Sequence, residues 1–522
     1  MINQHIAIQS LLSYAKQHRA EGRWAEAMFF YNAVLRTNPR QTQAIFGTAE
    51  IAKKLEKNQT AYQLLCQIIK LDPCHAKAFE SRGNVLQIMG RSEAALSDFS
   101  TAISLKRQTA SIFNSRGIAF ANLGNFDHAI ADFSEAIDRQ SDMANAFYNR
   151  ALAYRKKGNY VKAIDDYTTT ISLNPDHFQA YNNRGLAYRE LKQYSESIMD
   201  FRKSTAINPL FNEGYWNESL CLLALGNYKK GWKLYEYRWS SNNFTSPRRN
   251  FSAPLWLGKE NLSGKTILLH SEQGFGDSLQ FCRYIPLVEA LGCKVILEIE
   301  TQLQSLLRSI SWQAQVIDKD TQPPNFDYHC PLMSLPLAFA TTLKTVPSPG
   351  PYLSTDPDLE KSWSAKLGAR KKPRVGICWR GNSAHSNDKN RSIPLDEILP
   401  TLDQNFDWVS LQKDISYEEH QLIAKSGKIA NLGSLVTNFN DTAALCRTLD
   451  AILCVDTSVA HLGGALGVST HLLLPYVADF RWLSTGKTTP WYQSLSLYRQ
   501  GPARSWSKPI KSAQTSLKKL FY

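Results

Sequence analysis

Through the first half of the chain, residue type repeats every 34 positions, and that period restricts the fold more than any other feature of the 522 residues. Small side chains stand at Ala15, Ala49, Gly83, Gly117, Ala151, Gly185 and Ser219. A second small series runs through Ala27, Ala61, Ala95, Ala129, Ala163, Ser197 and Gly231. Large apolar or aromatic residues occupy Tyr31, Leu65, Phe99, Phe133, Tyr167, Phe201 and Tyr235, and Pro39, Pro73, Pro175 and Pro209 mark unit ends. Seven units keep register over residues 8–241. A unit of this length predicts two short helices joined near Gly90, Gly124, Gly158 or Gly226. It cannot bury its apolar face alone, so neighbouring units must stack into an α-solenoid.

The stretch "AFYNRALAYRKKGNYVKAIDDYTTTISLNP" (146–175) resembles the tetratricopeptide repeat. The resemblance implies a superhelix whose concave surface holds an extended peptide or another protein. Two finer rows ride on the period: Arg82, Arg116, Arg150 and Arg184, and, 16 residues later in each unit, Asp98, Asp132, Asp166 and Asp200. An ion pair inside each unit accounts for both rows recurring together; a ligand-binding arginine row is the alternative. Asn149, Asn183 and Asn217 form a third row, continued upstream by Ser115, Ser81, Gly47 and Ser13. In some tetratricopeptide arms such an asparagine row grips peptide backbone, since an amide donates and accepts at once. Acceptor binding and plain helix-surface polarity both stand as readings of it.

Composition narrows the class. Hydrophobic residues make up 43% and aromatics 11%, enough for real cores. The formal charge of +14 and the pI near 9.2 favour anionic partners. No run of five Lys/Arg occurs, so no nucleic-acid partner is expected. The nine cysteines include no C-x-x-C pair, which predicts reduced, mostly buried thiols and no zinc site. The opening residues lack a basic segment with a long apolar core, and no uncharged stretch reaches the roughly 18 residues of a membrane span. A cytoplasmic protein without a transmembrane segment is expected, with peripheral membrane contact left open.

Beyond Trp239 the pattern changes. Residues 240–265 are polar with prolines and read as a linker. Short apolar runs then alternate with helix-like segments: strands are predicted at 266–270, 294–299, 315–317, 374–379, 408–411, 451–455 and 470–474, with helices such as 279–291 and 442–449 between them. The alternation implies two doubly wound parallel lobes, divided by the proline-rich interval 346–373. Ligands bind beyond the carboxyl ends of such strands. At one of these ends "HSEQGFGDSLQFCRY" (270–284) turns from strand to helix through Gly274 and Gly276, residues that allow close backbone approach, and brings in Asp277. Tight strand–helix packing, with Asp277 as a cap, is the plain alternative to a ligand there. In the other lobe "DAILCVDTSVAHLGGALGV" (450–468) makes a like turn through Asp456, Thr457 and Ser458 into a helix carrying His461. These groups are candidates for holding a diphosphate; a hydroxyl cap and a core histidine are the alternative.

The stretches "SEQGFGDSLQFCRYIPL" (271–287), "VGICWRGNSAHSNDKNRSIPL" (375–395), "VSLQKD" (409–414), "DTAALCRTLDAILCVDTSVAHLGGALG" (441–467) and "LLLPYVADFRWLSTGKTTPWYQSLSLYRQ" (472–500) resemble, in family order, glycosyltransferase family 9, the heptosyltransferase-like family, in a tetratricopeptide-fused form. The resemblance implies a GT-B fold, a nucleotide-sugar donor and inversion at the anomeric carbon. It implies Asp277 as the base, Arg391 on donor phosphate, and Asp456, Thr457, Ser458 and His461 at the donor diphosphate. An inverting transfer needs one carboxylate to accept the acceptor hydroxyl's proton and cations or helix amides to meet the departing diphosphate. No D-x-D run is present to hold a metal, so neither metal nor cofactor is expected. Heptosyltransferases lack the repeat arm, and where they carry a ribose-gripping glutamate this chain has Gln412-Lys413-Asp414, so ADP-heptose does not carry over as donor.

The expected layout is repeats 8–241, linker 242–262, an acceptor-side lobe 263–352, an interlobe linker 353–373 and a nucleotide-sugar lobe 374–522. Two functions follow from it. One is a metal-independent transferase acting on a protein or peptide captured by the repeats. The other is a non-catalytic repeat scaffold with a degenerate or nucleotide-sensing lobe; a GT-B sugar epimerase is a more distant third.

Overall fold

The computed structural model describes residues 2–308, 310, 312–348, 350–384 and 387–522, with side chains from residue 6 onward. The repeat region is a helical solenoid of fourteen helices in seven hairpins. They run Ile2–Ala20 with Trp24–Thr37, Thr42–Lys54 with Asn58–Leu71, Ala76–Ile88 with Ser92–Ser104, and Ala110–Asn122 with Phe126–Arg139. Ala144–Lys156 with Tyr160–Leu173, Phe178–Glu190 with Tyr194–Ile207, and Asn212–Ala224 with Tyr228–Tyr235 complete the set.

The period has a packing cause. A methyl group added at Gly83 would sit 2.6 Å from the ring of Phe99, and one at Gly117 would sit 2.6 Å from Phe133. Small residue and aromatic are thus two halves of one contact, fixed at the same spacing in both hairpins. The turns repeat just as strictly. Gly22, Glu56, Gly90, Gly124, Gly158, Lys192 and Gly226 all adopt left-handed backbone, with φ between 57° and 79°. Five of the seven are glycine because a β-carbon is disfavoured there. The charged rows pair within hairpins: Arg82 grips Asp98 (2.8 and 2.7 Å), Arg116 grips Asp132 (2.7 and 2.7 Å) and Arg150 grips Asp166 (2.8 and 2.8 Å), each through two parallel N–H···O bonds.

By compactness the chain divides after Tyr188, inside the sixth hairpin, whereas the repeat pattern continues to residue 241. The second unit, from Arg189 on, therefore contains the seventh hairpin whole. Trp232 of that hairpin, 2% exposed, meets Phe281 (6.1 Å between ring centroids), Phe480 (5.7 Å) and Trp491 (6.4 Å), all edge to face. The expected linker 242–262 is likewise built in. Phe244, Trp256 and Leu262 are buried, and Leu255 bridges to His329 in parallel with the first sheet.

Two parallel sheets follow. The first comprises β1 (Thr266–His270), β2 (Lys294–Ile299), β3 (Gln315–Asp318) and β4 (Tyr328–Pro331), in the order β3-β2-β1-β4. The second comprises β5 (Arg374–Cys378), β6 (Asp407–Ser410), β7 (Ile429–Ala430), β8 (Ala451–Val455), β9 (Thr470–Leu474) and β10 (Leu495–Arg499), in the order β10-β9-β8-β5-β6-β7. Each sheet grows outward from its first strand and then crosses back beside it, as doubly wound sheets do. The reversals lie between β1 and β4 and between β5 and β8, where crevices open at the strands' carboxyl ends. The helix expected over 279–291 is broken into Phe275–Phe281, a 3-10 turn Cys282–Tyr284 and Ile285–Glu289, because Pro286 supplies no N–H to a continuous helix. Among the described residues, no helix is long and apolar enough to cross a membrane.

Candidate functional site

The turn after β1 is held from behind by a buried ion pair. Glu272 accepts from Arg238 at 2.7 and 3.0 Å and from the N–H of Met333 at 3.0 Å, while the Arg238 side chain is fully buried. With that anchor in place, Gly274 caps the helix Phe275–Phe281 in extended conformation. Asp277, in the first turn, reaches back with Oδ2 to accept the Gly274 N–H at 3.2 Å. Its Oδ1 accepts from the guanidinium of Arg481, which belongs to the loop after β9. Arg481 also donates to Asp479 at 2.8 Å and stacks on Phe480, its guanidinium carbon 4.5 Å from the ring centre. The Arg481 and Asp277 side chains are 9% and 16% exposed. Burial raises the Asp277 carboxyl above the usual carboxylate range, against the lowering pull of Arg481 and the Gly274 amide. The helix start alone predicts a depressed value and so a weak base; desolvation reverses that sign.

The facing turn, after β8, starts with Asp456. Burial, followed by the charge of Asp479, pushes its carboxyl up to about 6. Its backbone carbonyl accepts from Arg391 Nη1 at 3.0 Å, and Arg391 Nε also donates to Asp388 at 3.2 Å. Arg391 and the Asp456 turn, distant in sequence, thus meet at the reversal between β5 and β8. Thr457 caps the helix Ser458–Ala465, its hydroxyl accepting from the Val459 N–H at 3.3 Å, and Ser458 opens that helix.

His461, a candidate for the donor diphosphate with a core histidine as the alternative, is packed between the two turns. It is 5% exposed, its Nδ1 pairs with the Tyr492 hydroxyl at 2.9 Å, and its ring stacks on Trp482 at 5.1 Å. Burial, with Arg481, Arg283 and Arg391 nearby, drives its pKa well below the ordinary imidazole value, so it is neutral. A methyl group at Gly276 would lie 2.8 Å from its ring. Gly276 therefore serves the close approach of two helices, one from each sheet, and this is the packing explanation of the glycine-rich turn. A methyl group at Gly274 would meet nothing within 4 Å, so that glycine borders open space.

No sequence motif singles out Arg481 or Asp479. The available signal was their position: a charged pair in "ADFRW", just past the carboxyl end of an apolar strand. Gln412, where a ribose contact was in question, is 6% exposed, and its Oε1 accepts from Arg380 N (3.2 Å) and Cys378 Sγ (3.4 Å), tying the ends of β5 and β6 together. The asparagines of the repeat row are engaged within the solenoid. Asn149 donates to Asn114 at 3.0 Å, Asn183 donates to the Tyr148 hydroxyl at 2.9 Å, and Asn217 is buried. Among the described residues no group of three His, Cys, Asp or Glu is placed to hold a metal ion.

Residues 81–145, 144–177 and 167–199 match the tetratricopeptide-repeat families. The chain is 25% identical over 325 residues to Protein FlbA of Caulobacter vibrioides, covering 57% of this chain and 53% of that protein. It thus spans about half the length of this curated relative. Among solved structures it is similar to a tetratricopeptide repeat protein from Parabacteroides merdae (18% identity, TM-score 0.37, covering 44% of this chain and 91% of that one). It is also similar to YrrB, described as a TPR protein with an unusual peptide-binding site (17% identity, TM-score 0.32, 34% and 92% covered).

Proposed function

We propose that the second unit is a metal-independent, inverting glycosyltransferase of the GT-B kind, and that the repeats hold its acceptor, a protein or peptide. The observation that carries the reading is the meeting of strand-end turns from the two parallel sheets: Asp277, after β1, pairs with Arg481, after β9, beside Asp479 and Asp456, and Arg391 holds the Asp456 carbonyl. In this reading Asp277 takes the proton of the acceptor hydroxyl as that oxygen bonds to the anomeric carbon. The bond from that carbon to the diphosphate oxygen breaks at the same time, and the departing charge is met by Arg391 and the amides at the start of Ser458–Ala465. The raised pKa of Asp277 suits a base better than a depressed one. Arg481 must yield its hold on Asp277 when the acceptor hydroxyl arrives.

The pairing of Asp277 with Arg481 also favours a second reading, a repeat scaffold whose α/β unit senses a nucleotide without transferring anything. One comparison separates the two. Nucleoside diphosphates and nucleotide sugars are screened by thermal shift, and the binders are then assayed for release of nucleoside diphosphate by wild type and Asp277→Asn. Transfer is expected to show as slow hydrolysis of one nucleotide sugar, lost in Asp277→Asn while affinity stays within a few-fold. Binding without hydrolysis in the wild type would support the sensor, and no binding by any nucleotide would reject both.

A further inference from the structure

A cavity of about 500 Å3 lies against the first sheet, walled by Trp239, Arg248, Phe251, His270, His329 and Pro331 among others. It is of a size suited to a small molecule. His270 ends β1, and β1 pairs with β4 so that Leu268 stands opposite His329. His270, two residues further along, therefore projects from the same face as His329. The two imidazoles meet, Nε2 of His270 to Nδ1 of His329, at 3.2 Å. Phe251 lies across both rings, at 5.4 Å from His270 and 4.9 Å from His329.

The charges around this cavity leave a remainder. Burial holds both histidines below the ordinary imidazole value, so neither contributes charge near neutral pH. Arg249 is neutralised by Glu298, whose side chain is fully buried, and stacks on Phe251. Arg248 is exposed and makes no ion pair among the described residues. His270 is 2% exposed, and beyond His329 its ring has only a loose contact with the Ser271 backbone, so its Nδ1 lacks a well-formed hydrogen bond. One unbalanced cation at the mouth, aromatic and proline walls, and a poorly hydrogen-bonded polar group behind them make up the recognition chemistry of the cavity.

We propose that this cavity binds a small organic monoanion, its negative group on Arg248 and its flat body against Phe251 and Trp239. The site is formed by the segment before β1 together with β1 and β4, and it stands whether or not the second unit transfers sugar. Two carboxylates or a diphosphate would leave charge unmet beside neutral imidazoles. A free inorganic ion would leave the aromatic walls bare.

Full-length protein is titrated with the monoanions benzoate and benzenesulfonate and the neutral analogue benzamide, followed by saturation-transfer NMR and calorimetry. Fragments of this size bind weakly, so the comparison between them carries the result. Benzoate or benzenesulfonate is expected to bind saturably, with benzamide about tenfold weaker or more. Whichever anion binds more tightly tells a planar carboxylate head group from a tetrahedral one. Arg248→Gln, a substitution at an exposed side chain, should weaken the anion about ten- to hundredfold. Phe251→Ala should weaken it as well. Equal binding of benzamide, unchanged affinity in Arg248→Gln, or no saturable binding of either anion would overturn the proposal.

Discussion

Replacing Arg481 with methionine should destabilise the second unit in a strongly pH-dependent way. The guanidinium, 9% exposed, lies against Asp277 and Asp479, with Asp456 close by. Breaking a buried pair by removing one partner costs about 3–5 kcal/mol, because the other charge stays buried without compensation. Protonation of the orphaned carboxylate sets a ceiling. Holding a carboxyl of ordinary pKa near 3.9 in its neutral form costs roughly 5–6 kcal/mol at pH 8 but only about 1.5 kcal/mol at pH 5. The variant's Asp277, already raised in the wild type, rises further in the folded state than in the unfolded chain. The native state then binds more protons, so its stability falls as pH rises. The expected loss is about 3–5 kcal/mol at pH 8 and no more than about 1.5 kcal/mol at pH 5. Native-state hydrogen exchange of amides in β1, β5 and β8 reads this unit separately from the repeats. Adding Asp277→Asn to Arg481→Met should recover part of the loss at pH 8. A loss below about 1 kcal/mol at pH 8, or equal losses at both pH values, would refute the reasoning, since either outcome means the pair is effectively solvated.

Other expectations follow from the same geometry. If Asp456 borders a nucleoside diphosphate, its ionisation through about pH 6 should weaken that ligand as pH rises; calorimetry from pH 5.5 to 7.5 should show the decline, and Asp456→Asn should flatten it. Glu56 is an exposed residue in left-handed backbone where most equivalent turns use glycine, so Glu56→Gly should stabilise the first unit by about 0.5–1 kcal/mol in urea titrations. Changing Asn149, Asn183 and Asn217 to alanine should raise the KM for a protein acceptor and leave hydrolysis of the nucleotide sugar unchanged; an unchanged KM would assign the row to contacts within the solenoid, such as Asn149–Asn114 and Asn183–Tyr148.

The repeats were legible because each contact that makes them spans a fixed number of residues. A glycine opposite a phenylalanine 16 positions on, or an arginine opposite an aspartate at the same interval, imprints itself as periodicity. The central strands β1, β2, β5, β8 and β9 were legible as apolar runs because both faces are covered. The strands that the sequence did not disclose, β4, β7 and β10, lie at sheet edges, where Tyr-His-Cys-Pro or an alternating Leu-Ser-Leu-Tyr-Arg suffices. The site was half legible. Asp277 and Asp456 stand out by position at strand ends, and Arg391 only through the family resemblance, but the partner of Asp277 lies 204 residues away, and no local pattern records it. The neutral state of His461 depends on its burial, against Trp482 and Tyr492 from later loops, and on Arg481, Arg283 and Arg391, none of them near it in sequence. The polar segment 242–262 read as a linker because only three of its side chains, Phe244, Trp256 and Leu262, are buried, and its other anchors, Arg249 on Glu298 and Phe251 on His270 and His329, reach partners distant in sequence.

The seventh hairpin, wedged by Trp232 between aromatic rings of the α/β unit, bears on how such a chain can be recombined. A graft cut at residue 241, where the sequence motif ends, would strip a tryptophan out of the recipient's interior. A graft cut near Tyr188, where compactness divides the chain, would carry that wedge along. Upstream of that seam, hairpins can be gained or lost in steps of 34 residues, each step replacing one stacking neighbour with another of the same kind. Repeat number can therefore change by whole cassettes without disturbing the packing of the remainder.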